Sequence, residues 1–180
     1  MTIDPVIAWA VRLGLALLFA AAAWHKVTDR RRFEATLTAY ELLPTRAASM
    51  LSWGVPLAEG AISAGLVYPT TMRAAAVGAC SMLLLYTGAI AINLARGRRE
   101  IDCGCFASRA VTPLNGALIA RNAGLIAATS ALLLPIRMRP AVWVDGLTLL
   151  TTLTTLVLLW ATAQRLLQTG PALRGHGGFR

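Results

Sequence analysis

Long apolar runs without charge are the feature that most limits how this chain can fold. Residues 74–95 contain no Asp, Glu, Lys or Arg, and residues 47–68 contain Glu59 as their one charged side chain. A run of about 18 or more apolar residues is long enough to cross a bilayer as a helix. Because such runs recur and only short loops join them, the sequence predicts an integral membrane protein without a separate soluble domain.

The apolar runs predict an all-α integral membrane protein, a four-helix transmembrane bundle with a fifth span. The predicted spans are residues 6–24, 47–68, 74–95, 115–134 and 141–164. Asn115 is a favourable N-cap for the fourth span. These elements form one predicted membrane domain, residues 1–165, and a polar, Gly-rich tail at 166–180 is expected to be mobile.

Residues 29–43 predict a short amphipathic helix instead of a span. Phe33, Leu37 and Tyr40 recur at the spacing of one helical face, and Pro44 is expected to end the helix. A helix of this kind is suited to lie along the membrane surface.

The formal net charge of +9 is explained by the membrane rather than by nucleic acid. Lys and Arg in the loops of a membrane protein anchor the spans and set their orientation. With five spans, twelve Lys and Arg lie in the loops 25–46 and 96–113 and in the tail, against three on the other side. The positive-inside rule therefore places the loop 96–113 in the cytoplasm.

That loop carries the residues most suited to chemistry, Cys103 and Cys105 on either side of Gly104. Alpha carbons two residues apart are at most about 7 Å from each other, within reach of a disulfide, and glycine permits the required turn. A disulfide in so small a ring is strained, which favours thiol–disulfide exchange. Three nearby arginines favour a thiolate, whereas Asp102 opposes one. Half of a metal site and a non-reactive pair are the alternatives; no metal ligand is predicted, because neither His is near in sequence.

Two further groups could support function. Cys80, in an apolar span, is typical of a small buried side chain, although it could serve as a third thiol. Glu59 is an ionisable residue inside a span, which by default suggests function. Arg121 could pair with it across the bundle, Arg12 is a rival partner, and a proton-transfer or ligand role is the alternative. Lys26, at the end of the first span, is predicted to be an interfacial anchor.

Several motifs, spread over residues 10–130, together resemble the MauE family of methylamine-utilisation membrane proteins, within the broader DoxX-like set. The motifs are Lys26-Val27-Thr28-Asp29, Tyr40-Glu41-Leu42-Leu43-Pro44, Pro56-Leu57-Ala58-Glu59, Ala91-Ile92-Asn93-Leu94-Ala95-Arg96-Gly97, Cys103-Gly104-Cys105-Phe106 and Arg121-Asn122.

The resemblance implies a role in the bacterial inner membrane. Members of this family are required for maturation of methylamine dehydrogenase, a periplasmic quinoprotein whose small subunit carries many disulfides, and are thought to act with MauD, a thioredoxin-like protein. Cys103 and Cys105 would then be the reactive thiols of a thiol–disulfide oxidoreductase. The layout is also similar to that of vitamin K epoxide reductases, which suggests that a quinone could take the electrons.

The resemblance and the charge pattern favour opposite faces of the membrane for the cysteine pair. Periplasmic disulfide chemistry needs the thiols outside, whereas the positive-inside rule places them in the cytoplasm; we expect the periplasmic face. Two rival functions stay open. One is a non-catalytic scaffold that holds the thioredoxin-like partner, and the other is a carrier of quinone or another small molecule with Glu59 as the coupling group.

Overall fold

The structure is a computed structural model that describes residues 2–98, 101, 114–137, 139, 140 and 142–174. The described residues form six helices: α1 (Pro5–Thr28), α2 (Arg30–Ala39), α3 (Thr45–Val67), α4 (Met72–Ala95), α5 (Gly116–Ala131) and α6 (Trp143–Arg174). The predicted all-α fold is confirmed. The chain divides into two units, Met1–Met138 with α1 to α5 and Arg139–Arg180 with α6.

Local sequence sets the ends of these helices. Asp29 closes α1 through its backbone N–H to His25 and opens α2 by accepting from the N–H of Arg32. Gly97, with a φ of 75°, ends α4; its N–H donates to Leu94 and the next N–H, of Arg98, donates to Asn93. This pair of bonds is a Schellman motif, which needs a residue in the left-handed region. The predicted N-cap of α5 is confirmed, since the Asn115 side chain accepts from the N–H of Leu118.

The helices α1, α3, α4 and α5 run alternately up and down. Ser63 of α3 donates to the carbonyl of Ala16 in α1 at 2.8 Å. Asn122 of α5 donates to the hydroxyl of Thr87 in α4 at 3.2 Å. One end of this bundle, called here the α2 end, therefore carries α2, the C-terminal ends of α1 and α4, and the N-terminal ends of α3 and α5.

Two apolar clusters hold this unit together. The larger joins α1, α3 and α4 through residues such as Phe19, Leu66 and Ala76. The smaller lies at the α2 end and contains Tyr40, Ile90, Leu114 and Leu118, with Leu42, Ala89, Ile101 and Ile119 packed against it. Small alanines between the helices allow close approach, which is how helices pack where lipid removes the hydrophobic driving force.

The outer faces of the helices are apolar as well. Exposed side chains include Leu17, Trp24, Leu57, Leu84 and Leu85. Among the described residues, α1, α3 and α4 are each long and apolar enough to cross a membrane. A helix that is apolar all round belongs in a membrane or a large core, so the chain is a multi-pass membrane protein.

The other two predicted spans are also helices. The helix α5 has 16 residues within the predicted range 115–134. The helix α6 has 32 residues and continues through Arg174. Residues 166–174 are therefore helical, and the mobility expected of 166–180 stays a prediction.

The amphipathic face predicted for α2 is confirmed, because Phe33 and Tyr40 are buried and Leu37 is half-buried. The predicted end of this helix is wrong. The helix stops at Ala39, since Glu41 adopts a φ of 48° and its N–H turns back to Thr38. Pro44 instead opens α3 as its N-cap residue.

A close approach between α3 and α4 gives a first testable prediction. A Cβ added at Gly65 would lie 2.9 Å from the Cβ of Ala75, so one helix would have to shift. We expect Gly65→Ala to lower the free energy of unfolding by about 1–3 kcal/mol, as for other overpacked sites. Chemical unfolding in mixed micelles, followed by circular dichroism, measures the change.

Gly54→Ala, in the same helix, is the matched control, since nothing lies within 4 Å of a Cβ there. It should raise the free energy of unfolding by about 0.5–1 kcal/mol through helix propensity. Equal stabilities for the two variants would show that α3 and α4 do not meet at Gly65.

Candidate functional site

A buried ion pair lies inside the first unit, near the α2 end. The ammonium nitrogen of Lys26, in the last turn of α1, is 2.6 Å from Oε1 of Glu59 in α3. The side chains are 4% and 0% exposed, respectively. Charged side chains are almost never buried this fully unless they are paired. The site therefore joins the two helices through opposite charges withdrawn from solvent.

Tyr86 of α4 completes the group. Its hydroxyl donates to the same Oε1 at 2.6 Å. The Lys26 nitrogen also lies 5.3 Å from the ring centroids of Phe33 and Tyr86, within the range of a cation–π contact. The helices α1, α3 and α4 and the short half-helix α2 thus meet around the ammonium group of Lys26. We call these three polar side chains the Lys26–Glu59–Tyr86 cluster.

The second carboxylate oxygen of Glu59 is unusual. Within the described part of the chain, Oε2 is buried and has no hydrogen-bond partner. An unsatisfied acceptor on a charged group costs about 1–3 kcal/mol or more. Such an oxygen is available to accept a hydrogen bond, so the cluster retains one unused acceptor.

The partner predicted for Glu59 is wrong. Glu59 pairs with Lys26, and not with Arg121 or Arg12. The guanidinium of Arg12 instead donates to the carbonyls of Leu66 and Val67, at 3.0 and 2.9 Å. These carbonyls end α3 and have no partner within their own helix. Arg12 therefore caps α3 at the opposite end of the bundle.

Lys26 is also not the interfacial anchor that its position at the end of an apolar run predicted. The half-helix α2 returns over it and places Phe33 against its ammonium group. Sequence reasoning missed Tyr86 as a functional side chain. A phenol in a span free of charge is the signal that could have identified it.

A second polar group links α4 and α5 beside the cluster. The Arg121 guanidinium donates to Oδ1 of Asn122 at 3.3 and 3.4 Å, and Asn122 is buried. The amide of Asn122 continues to Thr87, the residue after Tyr86. The structure therefore places the predicted residues Arg121 and Asn122 on α5, joined to α4 at the residue that follows Tyr86.

A cavity of about 120 Å³ opens next to the cluster. Lys26 and Tyr86 of the cluster line it, together with Thr36 and Tyr40 of the short helix α2 and its end. Its apolar wall comes from α2, α3, α4 and the α2–α3 connection, and includes Phe33, Leu37, Leu43, Val55, Ala89 and Ile90. The arrangement can hold a small, largely apolar molecule beside the cluster.

Of the three predicted thiols, the structure describes Cys80. Cys103, Cys105 and Phe106 lie outside the described residues, so their reactivity stays a prediction. Cys80 is half-buried in α4, with Sγ 3.7 Å from the hydroxyl of Ser130. At 1.5 Å per residue, it lies about 22 Å along the helix from Ala95, the last residue of α4. The described residues contain no group of three His, Cys, Asp or Glu that could hold a metal ion.

The fold and the cluster define a class of protein: a multi-pass α-helical membrane protein with a buried Lys–Glu pair beneath the short helix α2. The family model for "Methylamine utilisation protein MauE" matches residues 4–136. The chain belongs to the MauE family of methylamine utilisation membrane proteins.

Curated relatives agree with this assignment. The chain is 37% identical to "Methylamine utilization protein MauE" of Paracoccus denitrificans, over 91% of this chain and 89% of the relative. It is 39% identical to the protein of the same name from Paracoccus versutus, over 73% and 72% of the two chains. The Methylorubrum extorquens protein is 38% identical over 74% and 73%. No solved structure matches this chain.

Proposed function

We propose that this protein is a thiol–disulfide oxidoreductase of the bacterial inner membrane that assists maturation of the small subunit of a periplasmic methylamine dehydrogenase. The relatives' names connect the family to methylamine utilisation. The Cys103–Cys105 disulfide would exchange with a thioredoxin-like partner of the MauD type. The outcome of this exchange is the disulfide that the client subunit needs.

The exchange proceeds through one mixed disulfide. A thiolate of the partner attacks one sulfur of the Cys103–Cys105 bond, which breaks and releases the other sulfur as a thiolate. The second partner thiol then attacks the mixed disulfide, leaving the partner oxidised and Cys103 and Cys105 reduced. Two electrons and two protons pass from the partner to this pair, so the partner can oxidise the client in turn.

The observation that carries the proposal is how the chain on either side of the cysteine pair is held. Ile101 and Leu114 both pack in the apolar cluster of Tyr40, Ile90 and Leu118 at the α2 end. Chain connectivity limits an alpha carbon two residues from Ile101 to about 7 Å from it. The described residues on either side of the pair therefore both lie at the end of the bundle that holds α2 and the Lys26–Glu59–Tyr86 cluster.

Charge at this end supports the same chemistry. Arg98 directly follows Gly97 in the Schellman turn that ends α4, and its guanidinium pairs with Glu41 at 2.6 Å. This ion pair holds the start of the loop against the end of α2. Because Glu41 offsets the charge of Arg98, the positive charge beside the pair comes from Arg99 and Arg109 in the sequence, and such charge lowers the free energy of a thiolate relative to its thiol. The proposed periplasmic location of this end follows from the partner's compartment and runs against the arginine distribution.

Serine substitutions test the proposal. In cells with the partner and the client, one of the variants Cys103→Ser and Cys105→Ser should accumulate a mixed disulfide with the partner, visible on a non-reducing gel. The double variant should form none and should yield no mature dehydrogenase. Cys80→Ser, which removes a thiol about 22 Å along α4 from its last residue, is the matched control and should behave as wild type.

Full maturation in both single variants would contradict the thiol role. Co-purification with the partner and intact maturation in the double variant would instead identify a scaffold. After reduction of intact cells with tris(2-carboxyethyl)phosphine, an impermeant maleimide should label the cysteine pair; labelling only after lysis would overturn the periplasmic location.

A further inference from the structure

The outward face of α3 changes in character along its length. From the α2 end inward, its exposed side chains are those of Arg46, Met50, Trp53 and Leu57. Because these positions recur every three or four residues, they form one stripe on the helix. At 1.5 Å per residue, Trp53 lies about 10 Å deeper than Arg46, and Leu57 about 6 Å deeper again. The stripe therefore runs from a charged group through an indole to an alkyl side chain, the order of chemical groups along a phospholipid.

A second arginine reaches the same stripe from α2. The guanidinium carbon of Arg30 lies 5.1 Å from the ring centroid of Trp53, and Arg30 donates to the hydroxyl of Ser52 at 3.2 Å. A helical side chain covers the turn before its own alpha carbon, so the indole extends from Trp53 toward Arg46. Two elements thus bring positive charge to one exposed indole, a side chain typical of the level at which lipid headgroups meet a span.

The protein offsets only part of this charge. Glu34 lies 3.6 Å from Arg30, and both side chains are about one-third exposed, at 34% and 32%. The exposed Arg46 has no ion-pair partner among the described residues. It also lies in the first turn of α3, where the helix dipole is positive and no acidic residue is present. The face therefore keeps one uncompensated positive charge, which a singly charged anion complements.

We propose that this face binds one anionic phospholipid of the phosphatidylglycerol type. The site consists of Arg30, Arg46, Trp53 and Leu57, and we call it the α2–α3 lipid site. The phosphodiester accepts hydrogen bonds from the two guanidinium groups, whose planar N–H pairs match phosphate oxygens. The glycerol lies against the indole, and an acyl chain follows α3 past Leu57. An acidic protein surface matches less well, because it would meet the arginines and leave the apolar part of the stripe unused.

Binding can be measured on the full chain. Protein in a mild neutral detergent is titrated with phosphatidylglycerol or phosphatidylcholine, and bound lipid is counted by native mass spectrometry. We expect one phosphatidylglycerol to bind about tenfold more tightly, because the choline group cancels the phosphate charge of the other lipid. The headgroup alone, glycerophosphoglycerol, should not compete at the same concentration, since it has no chain to cover the apolar part of the stripe. Competition by the headgroup alone would show a phosphate site and overturn the lipid site.

Charge-removing variants test which arginines hold the lipid. Arg30→Gln and Arg46→Gln should each weaken phosphatidylglycerol binding by about fivefold, and the double variant by about twenty-fivefold, the usual effect of a basic residue beside anionic lipid. Arg31→Gln is the matched control. It removes the same charge from the next, exposed position of α2 and should bind as wild type.

Equal losses in Arg31→Gln and Arg46→Gln would mean diffuse attraction to a basic surface and would overturn the site. Wild-type binding in a double variant with unchanged helicity by circular dichroism would overturn it as well. If the double variant does not fold, Arg46→Gln alone decides, since its position is exposed. Weaker co-purification of a thioredoxin-like partner with unchanged lipid binding would assign the two arginines to a protein interface instead.

Discussion

Lys26→Met is expected to lower the free energy of unfolding by about 3–5 kcal/mol, the usual cost of removing one partner from a buried ion pair. The reason is that Glu59 is 0% exposed and would be left without the opposite charge that offsets its burial. The tyrosine hydroxyl on Oε1 would remain, while Oε2 already lacks a partner among the described residues. Chemical unfolding in mixed micelles, followed by circular dichroism, measures this loss.

The double variant Lys26→Met/Glu59→Gln separates the charge effect from packing. It should recover most of the lost stability, because a neutral amide needs no counter-ion and still accepts from Tyr86. Arg46→Met is the matched control, since it removes a positive charge from an exposed position and should change stability by less than about 0.5 kcal/mol. A Lys26→Met protein as stable as wild type would contradict the ion pair.

Arg12→Met is the second large change, and we expect a loss of about 2 kcal/mol. Two hydrogen bonds from a charged donor disappear, each worth about 1.5–3 kcal/mol, while removal of the buried charge itself returns part of that amount. The carbonyls of Leu66 and Val67 would then end α3 without a donor. A membrane offers little water to replace it.

Two control variants separate the capping bonds of Arg12 from other effects of its substitution. Arg12→Lys should lose less than Arg12→Met, because a single ammonium can reach one carbonyl but lacks the planar geometry that serves both. Leu17→Met, at an exposed position of the same helix, should leave the unfolding midpoint unchanged. A more stable Arg12→Met protein would mean that desolvation of the guanidinium outweighs its capping bonds.

Hydrophobic pattern was sufficient to predict the helices. Residues 74–95 lie within three residues of the bounds of α4, and Asn115 caps α5 as expected. The end of α2 was missed because Glu41 adopts a left-handed backbone that is uncommon for a residue with a side chain. Nothing in its residue type signals that conformation.

The partner of Glu59 could not be predicted for a physical reason. A helix that is apolar on all sides has no polar face to fix its rotation, so the sequence does not say which neighbour Glu59 meets. Lys26 lies 33 residues away in the sequence, and α2 folds back so that Phe33 helps to bury its ammonium group. Residues of α2 also line the cavity, so the sequence could not predict the cavity either.

The two ends of the α1–α3 pair have a mechanical consequence. Arg12 grips the last carbonyls of α3 at one end, and Lys26 meets Glu59 nearer the other. Sliding one helix past the other by a single turn, about 5.4 Å, would break both attachments at once. The two attachments therefore fix the register of α1 against α3, and the short helix α2 rests on a pair of spans that cannot slide past each other.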